Sequence, residues 1–172
     1  MYSHLILGGA RSGKSAVAVQ WAEESGLPVC FVATAQAQDA EMAQRIQQHQ
    51  ASRPAHWQLV EEPIGLGRVL AEYSNPQRFV IVDCLTLWLT NLLLHADPDR
   101  LRQEREALLQ WMWQPAGPVV LVGNETGLGI QPLGELTRRF VDANGLLNQE
   151  LAKRCSRVTW VVAGIPLSIK GP

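Results

Sequence analysis

Short apolar runs alternate along the chain with longer stretches in which apolar side chains recur every three to four residues. Residues 5–7, 29–33, 79–82 and 119–122 are apolar without interruption, and 158–163 are apolar but for Thr159. Continuous rather than alternating runs are the signature of strands covered on both faces. Residues 15–25, 39–52, 86–95, 100–113 and 133–154 carry the helical period. Asp39 stands where a capping side chain is wanted, and Gly26 and Pro28 stop the first helix. In the last helix Phe140, Ala143, Leu147 and Leu151 form the packing stripe, opposite a polar stripe of Arg138, Asp142, Gly145 and Gln149. Alternation of strand and helix predicts an α/β fold: a mostly parallel sheet with right-handed crossovers and helices on both faces. No repeat or linker divides it, so residues 1–172 are expected to form one domain.

Composition narrows the functions open to such a fold. At 172 residues the chain is long enough to close a core without staples. Charged residues are 18% of it, against about 25% in an average domain, which points to surface hidden by a partner or a large ligand. A formal net charge of −1 gives no electrostatic case for nucleic acid or an anionic membrane. Cys30, Cys84 and Cys155 are scattered and read as small buried hydrophobes in a reducing compartment. The N-terminus has no basic segment ahead of a long apolar run. The longest apolar-rich stretch, residues 84–94, is well short of the ~20 residues that a spanning helix needs. A cytoplasmic protein without membrane insertion is expected.

The first strand runs into Gly8-Gly9-Ala10-Arg11-Ser12-Gly13-Lys14-Ser15, followed by a helix. This fits the phosphate-binding loop G-x-x-x-x-G-K-[ST]. Glycines let the backbone turn several N–H groups onto phosphate oxygens. The helix start adds its positive end. Lys14 is placed to reach the outer phosphates and Ser15 to offer a hydroxyl to Mg²⁺. Such a loop wants an acid near the metal at the end of a neighbouring strand. Asp83 follows its apolar run directly and is the preferred metal-side group. Glu125 follows its own run at the same edge, as a candidate substrate or metal contact. Lysine occurs only at 14, 153 and 170, so no guanine-reading Asn-Lys-x-Asp exists. A small-molecule phosphotransferase suits the length better than a regulatory GTPase or a motor.

Arg45, His49 and Arg53 recur every four residues, the last just before Pro54. That places them on one helix face. Two guanidinium groups beside an imidazole favour its neutral, nucleophilic form, and they also suit a phosphate. A solvated basic face is the other reading of the same spacing. His4 and His95 have no motif around them and are expected at the surface, and His56 in a loop.

Taken in order, the motifs resemble one known family. They are the glycine loop, Ala33-Thr34-Ala35-Gln36, Asp39-x-Glu41-Met42-x-x-Arg45-Ile46-x-x-His49, Arg53-Pro54-x-x-Trp57, Asp83-Cys84-Leu85-Thr86-x-Trp88-x-x-Asn91-Leu92, Asn124-Glu125-x-Gly127-x-Gly129-Ile130-x-Pro132, Arg139-x-x-x-x-x-Gly145-x-x-Asn148-Gln149 and Val162-x-Gly164-Ile165-Pro166. Over residues 3–170 they resemble the bifunctional adenosylcobinamide kinase / adenosylcobinamide-phosphate guanylyltransferases of cobalamin biosynthesis. The resemblance implies a RecA-like P-loop sheet and a homotrimer. It implies phosphorylation of adenosylcobinamide by ATP or GTP, then transfer of GMP from GTP to that phosphate through a GMP–histidine intermediate, giving adenosylcobinamide-GDP. The matching histidine is His49. Nucleotide contacts carry over to Gly8, Gly9, Ala10, Arg11, Ser12, Gly13, Lys14 and Ser15, to Thr34, Ala35 and Gln36, and to Arg53, Glu61 and Asp83. The implied partner is the corrinoid substrate. The chain departs from the common pattern at Gly123, where many members carry Ser or Thr, at Leu59, where Thr is common, and at Gln48, where some members carry a second His. The alternative is a P-loop kinase for a small metabolite without guanylyl transfer.

Overall fold

A computed structural model describes residues 2–37, 40, 43–44, 46–47 and 54–171. In chain order the elements are β1 (Ser3–Gly8), α1 (Lys14–Glu24), β2 (Val29–Ala33), β3 (Gln58–Glu61), α2 (Leu66–Tyr73), β4 (Phe79–Asp83), α3 (Leu85–Leu93), α4 (Arg100–Trp111), β5 (Val119–Asn124), α5 (Glu135–Arg154), β6 (Arg157–Val162) and β7 (Ile165–Lys170). The strands form one sheet in the order β3-β2-β4-β5-β1-β6-β7. Every pairing is parallel except β6 with β7.

Covering of both sheet faces explains the continuous apolar runs. Leu5 and Leu7 of β1, with Val80 and Val82 of β4, pack into the core under α2, α3, α4 and α5. Ile6, Ile81, Val120 and Val122 turn the other way onto Val17, Ala18 and Ala22 of α1. A polar residue on either side of these strands would lose hydration without replacement. Trp88, fully buried, anchors the larger layer and donates from Nε1 to the Ile64 carbonyl at 2.6 Å.

Three elements were not expected from the apolar pattern. β3 pairs with β2 although its residues are mostly exposed and two of its four, Gln58 and Glu61, are polar. α2 is only 8 residues long and buries Leu66, Val69 and Leu70. β7 folds back antiparallel on β6 through Ala163 (φ 51) and Gly164 (φ 81), the left-handed pair that a two-residue hairpin requires. Ala163 is therefore turn, not strand. β7 is exposed along its length and tolerates Pro166 because it is an edge.

Most of the stretch expected as helix over 39–52 lies outside the described residues, Asp39 included. Ala40, Ala43, Gln44, Ile46 and Gln47 within it are helical. His4, expected at the surface, is 3% exposed. Its Nδ1 lies 2.9 Å from the Tyr2 hydroxyl, its Nε2 lies 2.7 Å from Thr159 Oγ1, and its ring stacks on Trp21. Two hydroxyl partners are what allow an imidazole inside an apolar sheet. Cys30 and Cys155 are buried free thiols, as expected, and Cys84 is partly buried. Among the described residues no helix is long and apolar enough to cross a membrane.

Candidate nucleotide site

Parallel pairing brings the chemistry to one edge of the sheet. Gly8 is level with Asn124 of β5, Ala33 with Asp83 and with Glu61. β5 intervenes between β1 and β4, so Asp83 is not on the strand beside the glycine loop as expected; Glu125, just past β5, is. The Glu125 N–H donates to the Gly8 carbonyl at 3.1 Å, continuing the ladder into the loop.

Two glycines in the loop are required by space. A Cβ on Gly8 would stand 2.4 Å from the Val161 carbonyl oxygen. Gly13, at φ 98, caps α1 and lies against the β6–β7 turn, with its would-be Cβ 3.1 Å from Gly164 Cα. That turn braces the loop directly, because the Gly164 N–H donates to the Ser12 carbonyl at 2.8 Å. α1 has no acidic residue in its first turn, so nothing there offsets its positive end. Lys14 is 7% exposed, and its Nζ donates to the Gly9 carbonyl at 2.6 Å and to Ser12 Oγ at 3.4 Å. Burial lowers its pKa, opposed by the nearby Asp83 carboxylate and Cys84.

A cavity of about 480 Å³ opens in front of the loop. Ala10, Arg11, Ser12, Gly13, Lys14 and Ser15 of the loop line it, together with Ala35, Glu61 and Asp83. Ile46, from the stretch that carries Arg45 and His49, also lines it. Gly8 is buried behind the loop, and Gln36 and Gly9 are exposed at its margin. Glu125 is half-buried, and its carboxylate accepts from the Gly127 N–H. Arg45, His49 and Arg53 lie outside the described residues.

The residues after Asp83 brace the site. Thr34 is fully buried; its hydroxyl donates to the Cys84 carbonyl at 2.7 Å and accepts from the Cys84 N–H at 2.9 Å. The Asn91 amide donates to the carbonyls of Thr34 (2.8 Å) and Pro63 (3.1 Å). Thr86 Oγ1 accepts from the Asn124 N–H at 2.8 Å. α3 thus ties together the ends of β2, β4 and β5. Burial pushes the Cys84 thiol up to about 11, with the Asp83 charge acting in the same direction, so it is no nucleophile at neutral pH.

Asn144, missed in the sequence because an amide on a helix reads as its wet side, is 1% exposed. It donates to the Asn124 carbonyl (3.0 Å) and Thr126 Oγ1 (3.2 Å). It fixes the start of the segment that carries Glu125.

A family model described as cobinamide kinase / cobinamide phosphate guanyltransferase matches residues 4–169. The chain is 58% identical over 167 residues to the bifunctional adenosylcobalamin biosynthesis protein CobP of Pseudomonas aeruginosa, covering 97% of this chain and 96% of that one. It is 38% identical over 179 residues to the bifunctional adenosylcobalamin biosynthesis protein CobU of Escherichia coli K12, covering 96% and 98%. Among solved structures it is similar in fold to the RadB recombinase, with TM-score 0.53 and 18% identity over 92% of this chain and 73% of that one. A Pyrococcus horikoshii OT3 protein matches with TM-score 0.56 and 8% identity over 99% and 86%. These two likenesses concern the fold alone.

Proposed function

The chain belongs to the cobinamide kinase / cobinamide phosphate guanyltransferase family, and from that premise we propose how its nucleotide cleft serves two transfers. It is an enzyme of cobalamin biosynthesis that phosphorylates adenosylcobinamide with ATP or GTP. It then attaches GMP from GTP to that phosphate, giving adenosylcobinamide-GDP. The observation that carries the reading is the glycine loop closed around the buried Lys14 ammonium, with Ser15, Glu61 and Asp83 lining the same cavity.

In the kinase step the corrinoid hydroxyl attacks the γ-phosphorus and the nucleoside diphosphate leaves. Loop N–H groups, the start of α1 and Lys14 hold the developing charge. Ser15 and Asp83 both line the cavity, and their hydroxyl and carboxylate are the hard-oxygen groups that would hold Mg²⁺. When bound, that ion supplies neutralisation of phosphate charge.

In the guanylyl step a His49 ring nitrogen attacks the α-phosphorus of GTP and pyrophosphate leaves. A phosphate oxygen of adenosylcobinamide phosphate then displaces the imidazole. Arg45 and Arg53 keep the imidazole neutral and hold phosphate oxygens. Ile46 on the cavity wall supports this role, since three residues of chain reach at most about 11 Å. The contacts of Ala35, Gln36 and Glu61 with nucleotide, the single domain over 1–172, a cytoplasmic setting and a homotrimer complete the proposal. The exposed apolar side chains of β7 support the trimer.

Incubation with α-labelled GTP and Mg²⁺ tests it. Acid-labile, alkali-stable label should appear on the protein and be absent from His49→Ala. Label surviving in His49→Ala moves the nucleophile elsewhere. Phosphorylation of adenosylcobinamide with no protein label leaves the enzyme a kinase alone.

A further inference from the structure

We propose that Thr34 is a positioning residue for phosphoryl transfer, its buried hydroxyl setting where the Asp83 carboxylate stands relative to Lys14. The inference rests on the reading of Asp83 given above. The β2–β4 ladder ends at the pair Ala33 and Asp83. Beyond it the strands part, and the next peptide groups need other partners. The Thr34 N–H still reaches the Asp83 carbonyl at 3.3 Å. Its hydroxyl then takes both backbone groups of Cys84, one as donor at 2.7 Å and one as acceptor at 2.9 Å. The Asp83 carbonyl is therefore held by the Thr34 N–H, and both backbone groups of the residue that follows Asp83 are held by the Thr34 hydroxyl. Thr34 is itself fixed, with 0% exposure and its carbonyl on the Asn91 amide at 2.8 Å. Asp83, held between these points, is the charge that acts on the Lys14 ammonium. The Thr34 side chain does not line the cavity, so its hydroxyl acts through Asp83.

A single hydroxyl that both donates and accepts is a chemical requirement that Ser meets and the isosteric Val does not. The test compares Thr34→Val, Thr34→Ser and Asp83→Asn by titration calorimetry with GTP, with and without Mg²⁺. Phosphorylation of adenosylcobinamide and thermal melting are followed in the same proteins. Thr34→Val should lose at least about tenfold in the Mg²⁺-dependent gain in GTP affinity and in kcat. Its Mg²⁺-free affinity and its KM for the corrinoid should stay within about twofold. Thr34→Ser should restore both losses. If Thr34→Val fails to fold, Thr34→Ala is read in its place. A variant that melts lower but keeps the wild-type Mg²⁺ response and kcat overturns the proposal, since that is a packing role only. If Asp83→Asn loses the Mg²⁺ response while Thr34→Val keeps it, Thr34 alone is refuted. If Asp83→Asn keeps it, the premise about Asp83 fails and the proposal falls with it.

Discussion

His4, the second residue of β1, is buried beside apolar neighbours, where charging the imidazole is costly. Burial, with the Arg157 guanidinium adding repulsion, lowers its pKa from 6.5 to about 4. Between those values the folded chain keeps the ring neutral while the unfolded chain takes up a proton. The unfolded state binds more protons there, so stability rises with pH through this window and is lost as pH falls through it. The melting midpoint should drop more steeply between pH 6.5 and 4.5 in the wild type than in His4→Gln. Equal slopes would show that other groups carry the acid sensitivity. This environment is not legible along the chain, because the hydroxyls that satisfy the ring come from Tyr2, two residues away, and from Thr159 in β6. The glycine loop was legible because its chemistry is local: eight consecutive residues hold the glycines, the lysine and the hydroxyl. Asp83 and Glu125 were legible as acids at strand ends, but not the strand that separates Asp83 from the loop. Gly123 gains meaning only in three dimensions. It faces Asn148, whose amide has no hydrogen-bond partner among the described residues, and a Cβ there would lie 3.6 Å from the Asn148 oxygen.

At the scale of elements, strands covered on both faces announced themselves by apolar runs, and all five expected runs lie in strands apart from Ala163. β3 and β7 escaped notice because edge strands bury little and their sequences carry no such run. In α5 the expected Leu147 and Leu151 are buried, but Asn144 and Asn148 share that buried face. α5 ends under a contact from β7: Lys170 Nζ donates to the carbonyls of Ala152 and Cys155, both at 2.7 Å, and Lys153 at 3.2 Å. An ammonium on the last carbonyls of a helix satisfies acceptors that have no partner within the helix, and it opposes the negative end. Lys170→Met should cost about 1–2 kcal/mol in urea unfolding. An unchanged midpoint would show that the contact contributes nothing in solution.

For the whole molecule, the sparse charge noted in the sequence has a structural counterpart. Ile165, Leu167 and Ile169 of β7 are 52–62% exposed, and Val162 is 47% exposed. An apolar edge strand of this kind is a template for association. Sedimentation should give the mass of three chains, and Leu167→Glu should shift it toward one. A wild-type chain that sediments alone would remove the proposed trimer.

The position of β1 has a consequence for synthesis. It lies between β5 and β6, and Ser3 exchanges hydrogen bonds with Ser156, 153 residues away. The glycine loop is made before β6 and β7 and is completed only when the β6–β7 turn delivers the Gly164 N–H to the Ser12 carbonyl. Pairing across such a separation is slow, and a nascent chain still lacking β6 and β7 has one wall of its phosphate loop missing. Tight nucleotide binding then waits on β6 and β7, and the nucleotide in turn rewards their docking by stabilising the closed sheet.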